Sequence, residues 1–243
     1  MSQFMDLMRL PNSRLGIAKG QFADISHTHR FGAVPAMSQN TIGTVWDVND
    51  TVYPWASWNT AGTLSIPAVN EADDGKTVTI VGLDEDYVIL TETVTISSDA
   101  AVTTTGEFKR VQSAYIHNGS ATNVGAILIQ KSAVTVAKIS AGKGQSLMAI
   151  YTVPAGYTGY ILKGTCTCQA GADATGDMYV RLFGEASFNA GHSFEVSGTG
   201  GEYTYDFAIP FKIPEKSDID VRATVRSNNA RVTAAFDILL DYD

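Results

Sequence analysis

The sequence motif that comes nearest to a catalytic site is Gly191-His192-Ser193-Phe194-Glu195, in which a histidine precedes a serine. It resembles the Gly-x-Ser-x-Gly turn that exposes the nucleophile of α/β-hydrolases. That turn needs a second glycine, here replaced by Glu195, and a helix directly after the serine. No helical pattern follows Ser193. We therefore interpret the segment as a loop leading into a strand and predict no catalytic residue.

Two pairs of metal-binding side chains occur with a spacing of two residues. His27 and His29 would share one face of an extended chain, and so would Cys166 and Cys168. A zinc site needs at least three protein ligands, and neither pair has further ligands at the usual spacing. A disulfide between residues i and i+2 would be strained. We predict no metal site, histidines at a surface or interface, and small thiols buried in a sheet.

A phosphate-binding loop would be expected to read Gly, four residues, then Gly-Lys-Ser/Thr before a helix. The chain offers only Gly142-Lys143-Gly144, followed by a strand-like pattern. Carboxylates cluster at Asp73-Asp74-Gly75 and Asp84-Glu85-Asp86, where solvated turns are a better interpretation than calcium loops. These patterns predict no cofactor and no enzymatic activity.

The three tryptophans, Trp46, Trp55 and Trp58, lie close together in the densest aromatic segment of the chain. If their rings are exposed, they could stack on the sugars of a host glycan. If they are buried, they would anchor the N-terminal segment or a subunit contact, where tryptophan and tyrosine concentrate binding energy. We favour the second interpretation because no cluster of polar side chains suited to a sugar accompanies them.

Alternation of polar and apolar residues is the main structural signal after Thr44. It runs through Thr77–Val81, Thr91–Ile96, Asp218–Arg222 and Arg231–Ala234, which we predict as half-buried strands. Turn-forming residues recur between such segments, and no window after residue 20 keeps apolar residues at helical spacing for three turns. The sequence predicts an all-β fold of antiparallel β-sandwich or jelly-roll units, and excludes a parallel α/β fold.

Residues 1–44 differ from the rest and are predicted to form an extended N-terminal arm. They are rich in methionine and apolar residues but lack sustained alternation. We expect the arm to lie on its own domain or on a neighbouring molecule. The predicted contact residues combine the arm with the tryptophan segment: Phe4, Leu7, Phe22, Phe31, Trp46, Trp55 and Trp58.

The remaining chain is predicted to contain two sandwiches, at 45–140 and 141–243, linked by a glycine-rich segment at 141–145. A single larger sandwich is the alternative, because all-β domains can reach about 250 residues.

The composition excludes several classes of protein. The 243 residues carry a formal net charge of -8, which argues against a nucleic-acid binder. The longest apolar run is too short for a membrane span, and we expect no secretion signal. Two cysteines cannot form a disulfide framework and favour a reducing cytoplasm.

The middle of the chain resembles a recurrent group of virion structural proteins from tailed bacteriophages, especially marine ones. The resemblance spans residues 29–165 and rests chiefly on His29-Arg30-Phe31-Gly32, Thr44-Val45-Trp46-Asp47, Thr77 to Asp84, and Leu147 to Gly156. It implies a non-enzymatic protein of the virion, assembled in the host cytoplasm. It also implies a homo-oligomer that decorates or cements the head, or sits at the neck, against the major capsid protein or neck and tail proteins.

A tail-fibre or receptor-binding module that recognises host surface glycans is the alternative function. It would use the exposed-tryptophan interpretation and would lose saccharide binding on substitution of Trp55 or Trp58. A hydrolase or depolymerase is the least favoured function, because no motif has the context that its chemistry requires.

Overall fold

The computed structural model describes residues 13–117, 122–197 and 201–242. It confirms the all-β prediction, since strands dominate and every pairing between the named strands of these ranges is antiparallel. Helical structure in them is limited to α1 (Ser13–Ala18) and two 3-10 turns, Trp55–Trp58 and Glu71–Asp73. No helix in the described ranges is long and apolar enough to cross a membrane. The strands are β1 (Ile25–Met37), β2 (Gly43–Thr44), β3 (Ser65–Ile66), β4 (Thr77–Leu83), β5 (Ile89–Thr95), β6 (Val102–Thr103), β7 (Arg110–Ile116), β8 (Ile127–Lys131), β9 (Val134–Ile139), β10 (Ile150–Thr152), β11 (Tyr157–Cys168), β12 (Ala174–Arg181), β13 (Asn189–Val196), β14 (Glu202–Ile213), β15 (Asp218–Val225) and β16 (Ala230–Tyr242).

The larger sandwich is formed by a sheet of order β1-β16-β11-β14 facing a sheet of order β10-β15-β12-β13, with β2 paired to β15. Apart from the β12–β13 hairpin, each consecutive strand from β10 to β16 lies in the opposite sheet, which is jelly-roll connectivity. Apolar and polar residues alternate along β16, so one face of this strand packs on the core. Val232, Phe236 and Ile238 point into the core, whereas Arg231 and Asp237 point outward.

The smaller sandwich joins a sheet of order β6-β3-β8-β9 to a sheet of order β5-β4-β7. Its core includes Leu64, Ile80, Phe108 and Ile127, all fully buried. In sequence this sandwich is an insertion between β2 and β10 of the larger one. The entering and leaving chains meet side by side, with Trp46 bridged to Met148.

Strand β1 shows that much of the predicted arm belongs to the larger sandwich. Ile25–Met37 pairs with β16 from Ile25↔Asp241 to Met37↔Ala230, and Val34 and Met37 are buried in the core. Residues 25–37 therefore lie on the chain's own domain, which is one of the two placements expected for the arm, and they do so as a strand of its sheet. The domain boundaries at 44 and 140 stay predictions.

Gly32 allows β1 to cross the junction between the two sandwiches. A Cβ atom placed on Gly32 would overlap Val45 O and Ala149 N, which belong to the two chains that connect the sandwiches. Only a residue without a side chain lets the backbones approach this closely. Arg30, two residues earlier, donates to Gln112 O over 3.2 Å and so ties β1 to β7 of the smaller sandwich.

Candidate functional site

The three tryptophans lie inside the chain, where the insertion joins the larger sandwich. Trp46 and Trp58 are 1% exposed and Trp55 is 7% exposed. The ring of Tyr53 lies between them, with its centroid 5.1 Å from Trp46 and 4.8 Å from Trp55. The burial agrees with the interpretation favoured from the sequence, in which buried rings anchor the N-terminal segment or a subunit contact; that contact role stays a prediction. Rings covered by the chain's own core offer no platform for stacking on sugars.

A buried ion network lies beside these rings and links the two sandwiches. The Asp218 carboxylate in β15 accepts hydrogen bonds from Arg110 Nε at 2.9 Å, Arg181 Nη2 at 2.6 Å and Thr152 Oγ1 at 2.6 Å. Arg110 comes from β7 of the insertion, whereas Arg181 and Thr152 come from the larger sandwich. Hydrogen bonds to charged groups are the stronger kind, so this network clamps one sandwich to the other.

Asp220 occupies a second, fully buried position in the same strand. It accepts hydrogen bonds from Trp55 Nε1, Thr44 Oγ1 and Arg222 Nε, each at 2.8 Å. Burial has the largest effect on the pKa of Asp220 and raises it, against the opposing influence of Arg222 and these donors. Trp55 is thus held by its indole nitrogen as well as by packing, which explains why the aromatic segment is fixed at the junction.

The outer face of the β1-β16-β11-β14 sheet carries a cluster of apolar side chains. Phe22 and Ile17 pack there against Ile25 and Leu239, so the segment before β1 lies on this sheet. Beside α1 runs a groove of about 400 Å3, which we call the outer groove. It is lined by Arg14, Ile17, Ala18, His27, Leu162, Lys163, Asp206, Phe207, Pro210, Asp237 and Leu239.

Strand β14 forms the wall of the outer groove opposite α1. Its pairing with β11 is interrupted between Ile161↔Phe211 and Lys163↔Asp206, so that residues 207–210 bulge out of the sheet. Ile209 at the bulge is 85% exposed. A bulge and a proline blunt an edge strand against further strand pairing. The exposed bulge therefore offers a side-chain contact rather than a sheet edge.

The remaining predicted contact residues have different surroundings. Phe31 is half-buried in β1, and its ring stacks on His29 at a centroid distance of 5.6 Å. Phe22 is half-buried against the outer face, as described above. Phe4 and Leu7 lie outside the described residues. The interface role of these four residues stays a prediction.

The paired histidines meet a single carboxylate. His29 Nδ1 lies 2.7 Å and His27 Nε2 lies 3.2 Å from Asp237 Oδ1 on the neighbouring strand. Within the ranges that the structure describes, no group of three or more histidine, cysteine or carboxylate residues is arranged to bind a metal ion. Cys166 and Cys168 are both buried and free, and burial raises the pKa of Cys166 to about 12.

The Gly191–Glu195 motif lies within β13 and not in a loop, which corrects the interpretation from the sequence. Phe194 packs into the core, whereas Ser193 faces outward and donates to Asp177 at 2.5 Å. His192 points to the other face of the strand, where its Nε2 lies 2.9 Å from the Tyr203 hydroxyl. The serine and the neighbouring imidazole are therefore on opposite sides of the strand.

The sequence reasoning did not identify the ion network as a structural centre. The pattern Asp218-Ile219-Asp220-Val221-Arg222 predicted a strand with its charged face in water, but both carboxylates are buried. Three charged residues at alternate positions are the signal that was available. Their arginine partners, Arg110 and Arg181, come from distant parts of the chain, so the burial could not be inferred from the pattern.

No protein-family model matches the chain, and no curated protein matches it. Two solved structures are similar to it at a low level. A structure of infectious bursal disease virus, Gx strain, has 9% sequence identity to this chain and a TM-score of 0.23. The match covers 90% of this chain and 73% of the viral chain. A structure of the Gt strain has 8% identity and a TM-score of 0.20, and covers 89% and 75% respectively. Similarities at this level carry no argument about function.

Proposed function

We propose that this chain is a structural protein of a tailed-phage virion, which decorates or cements the head or sits at its neck. The observation that carries the proposal is the open apolar outer face of the β1-β16-β11-β14 sheet, on which the N-terminal segment already lies. The resemblance over residues 29–165 supports the same role. The partners would be further copies of the chain and the major capsid protein or a neck protein.

The outer groove has the composition of a protein-binding surface. Its lining includes the apolar side chains of Ile17, Leu162, Phe207 and Leu239. Leu15 in α1 and Ile209 in the bulge of β14 are sequence neighbours of lining residues and are 54% and 85% exposed. Contiguous exposed apolar surface of this kind marks protein interaction sites. The charged rim residues have both signs: Arg14 and Lys163 against Asp206 and Asp237. Mixed charge suits another protein better than it suits nucleic acid.

The proposed contact also includes Phe4 and Leu7, which precede α1 in the sequence and lie outside the residues that the structure describes. An apolar segment that adds to an apolar groove enlarges the contact without a larger core. On a particle with repeated binding sites, many copies would raise the overall strength of a modest single contact.

The test is co-sedimentation of the purified chain with virions of the encoding phage that lack it. We expect Ile209→Asp and Leu15→Asp to reduce binding at least tenfold each, which is about 1.4 kcal/mol. Val88→Asp and Ile89→Asp are matched controls, since both side chains are about half exposed but lie on the smaller sandwich. Binding by the groove variants equal to that of the controls would contradict the assigned surface.

A further inference from the structure

A second concave site lies at the junction of the two sandwiches, on a different surface from the outer groove. It is a cleft of about 200 Å3, which we call the junction cleft. Tyr87 and Arg110 reach it from the smaller sandwich, whereas Arg181, Phe183 and Lys216 reach it from the larger one. Clefts between two folded units are a usual place for small-molecule sites.

The junction cleft has a small excess of positive charge in a chain whose net charge is -8: it is lined by Lys109, Arg110, Arg181 and Lys216 against Glu185 and Asp218, and Glu85 pairs with Lys109. Arg110 and Arg181 share the single carboxylate of Asp218, so one of the two guanidinium charges is not neutralised. Lys109 is neutralised by Glu85 at 2.7 Å. Lys216 forms no ion pair with any residue that the structure describes, and its Nζ lies 5.3 Å from the centre of the Phe183 ring. An incompletely neutralised, partly buried cation is stabilised by an added anion.

An aromatic wall stands beside these cations. Phe183 is 59% exposed, and its ring meets Tyr87 edge to face at 5.7 Å. A large exposed ring next to two cations suits a ligand that combines an apolar ring face with an acidic group. A free inorganic anion would use the cations and would leave the ring uncovered.

The backbone at both sides of the junction cleft is held in an unusual conformation. Tyr87 has φ 65° and Lys216 has φ 59°, both in the left-handed region that non-glycine residues seldom adopt. Such conformations cost free energy and concentrate at ligand-binding positions. Both residues also contact the Phe183 ring, Tyr87 with its ring and Lys216 with its ammonium group.

From these observations we infer that the junction cleft binds an acidic monosaccharide unit, of the class to which uronic acids belong. Its carboxylate would lie between Arg181 and Lys216, and its ring would lie against Phe183. This inference does not rest on the proposed virion role, because it uses a different surface. It differs from the hypothesis that Trp55 and Trp58 stack on a glycan, because the rings of those two residues are buried.

The test is calorimetric titration of the full chain with glucuronate, with glucose and inorganic sulfate as comparison ligands. We expect saturable binding of glucuronate in the millimolar range and at least tenfold weaker binding of glucose and sulfate. Lys216→Gln should weaken glucuronate binding about tenfold, the usual cost of losing one contact to a charged group. Phe183→Ala should weaken it by about the same factor, because it removes the ring on which the sugar packs. Lys212→Gln, an exposed lysine on β14, is the matched control.

Absence of saturable glucuronate binding would overturn the inference, and so would glucose or sulfate binding as tightly as glucuronate. Equal affinity of Lys216→Gln and the control would overturn it as well. Thermal unfolding of each variant shows that a loss of affinity is not a loss of fold. The Ile209→Asp variant should keep full glucuronate affinity, so failure of the virion proposal and failure of this one can be told apart.

Discussion

Asp218 is the residue whose charge the fold depends on most directly. Its carboxylate is 3% exposed and joins Arg110 of the smaller sandwich to Arg181 of the larger one. Removal of one member of a buried ion pair is costly because the partner charge stays buried without compensation. Here two guanidinium groups would lose their shared acceptor.

We therefore expect Asp218→Asn to lower the free energy of unfolding by about 3–5 kcal/mol. Equilibrium unfolding in urea measures the loss. Glu195→Gln is the control, because Glu195 pairs with Arg226 at 3.9 Å with both side chains about two-thirds exposed. An exposed pair of this kind contributes less than about 1 kcal/mol. Similar stability losses in the two variants would contradict the assignment of a buried clamp.

Asp47 gives a pH dependence whose sign can be worked out. Burial has the largest effect on the pKa of Asp47 and raises it above the ordinary 3.8, against the opposing hydrogen bond from Ser140. The folded chain thus holds this proton more tightly than the unfolded chain does. The resulting stabilisation is complete below the ordinary pKa and is lost as the pH rises through the raised value.

Asp47→Asn keeps an acceptor for the Ser140 hydroxyl but cannot ionise. We expect the stability of the natural protein, measured relative to Asp47→Asn, to decrease as the pH rises from about 4 through the raised pKa. Urea unfolding of both proteins across this range tests the expectation. A difference that stays constant with pH, or that grows as the pH rises, would contradict it.

At the scale of elements, β1 is the part of the predicted arm that belongs to the larger sandwich. Its pairing with β16 covers most of the strand, and Val34 and Met37 fill the core of the larger sandwich. Of the described residues before Ile25, Ile17 and Phe22 lie on the outer face and form a small cluster with Ile25 and Leu239. Removal of the strand and removal of the preceding segment should therefore have different consequences.

Deletion of residues 1–24 should leave a folded protein, whereas deletion of residues 1–40 should abolish cooperative unfolding. The longer deletion exposes the edge of β16 and opens the core. Circular dichroism during thermal unfolding distinguishes the two outcomes. A sharp transition for the protein lacking residues 1–40 would contradict the assignment of β1 to the core.

Gly32 gives a second prediction about β1. We expect Gly32→Ala to destabilise the protein, because the added methyl group would overlap backbone atoms of Val45 and Ala149 that cannot move independently. Gly75→Ala is a useful contrast: its Cβ would meet no neighbour, but its φ of +72° adds a purely conformational cost. A Gly32→Ala protein as stable as Gly75→Ala, compared by urea unfolding, would show that the junction can relax.

The sequence predicted strands correctly where one face of the strand is buried and the other is in water. It failed where contacts with distant parts of the chain determine which side chains are buried. The alternation in Thr77–Val81 and Thr91–Ile96 predicted β4 and β5. Strand β13 was missed because its inward positions include His192, which packs among aromatic rings that only the fold brings together.

At the scale of the whole molecule, two sandwiches are joined by buried polar bonds and packed aromatic rings. The sequence predicted the fold class and favoured buried tryptophan rings, but it did not show which elements cover those rings. The local sequence identifies the aromatic residues, but it does not show which strands pack over their rings. The surface that we assign to binding, the outer groove, depends on β1, β11, β14 and β16, which are far apart in sequence.

The central claim is that the chain works by binding within a virion. Quantitative mass spectrometry of gradient-purified virions of the phage that we propose encodes the chain tests it most directly. The account predicts that the chain is present in many copies per particle, in a fixed ratio to the major capsid protein or to a neck protein. Virions that are complete and infectious but contain none of this chain would contradict it.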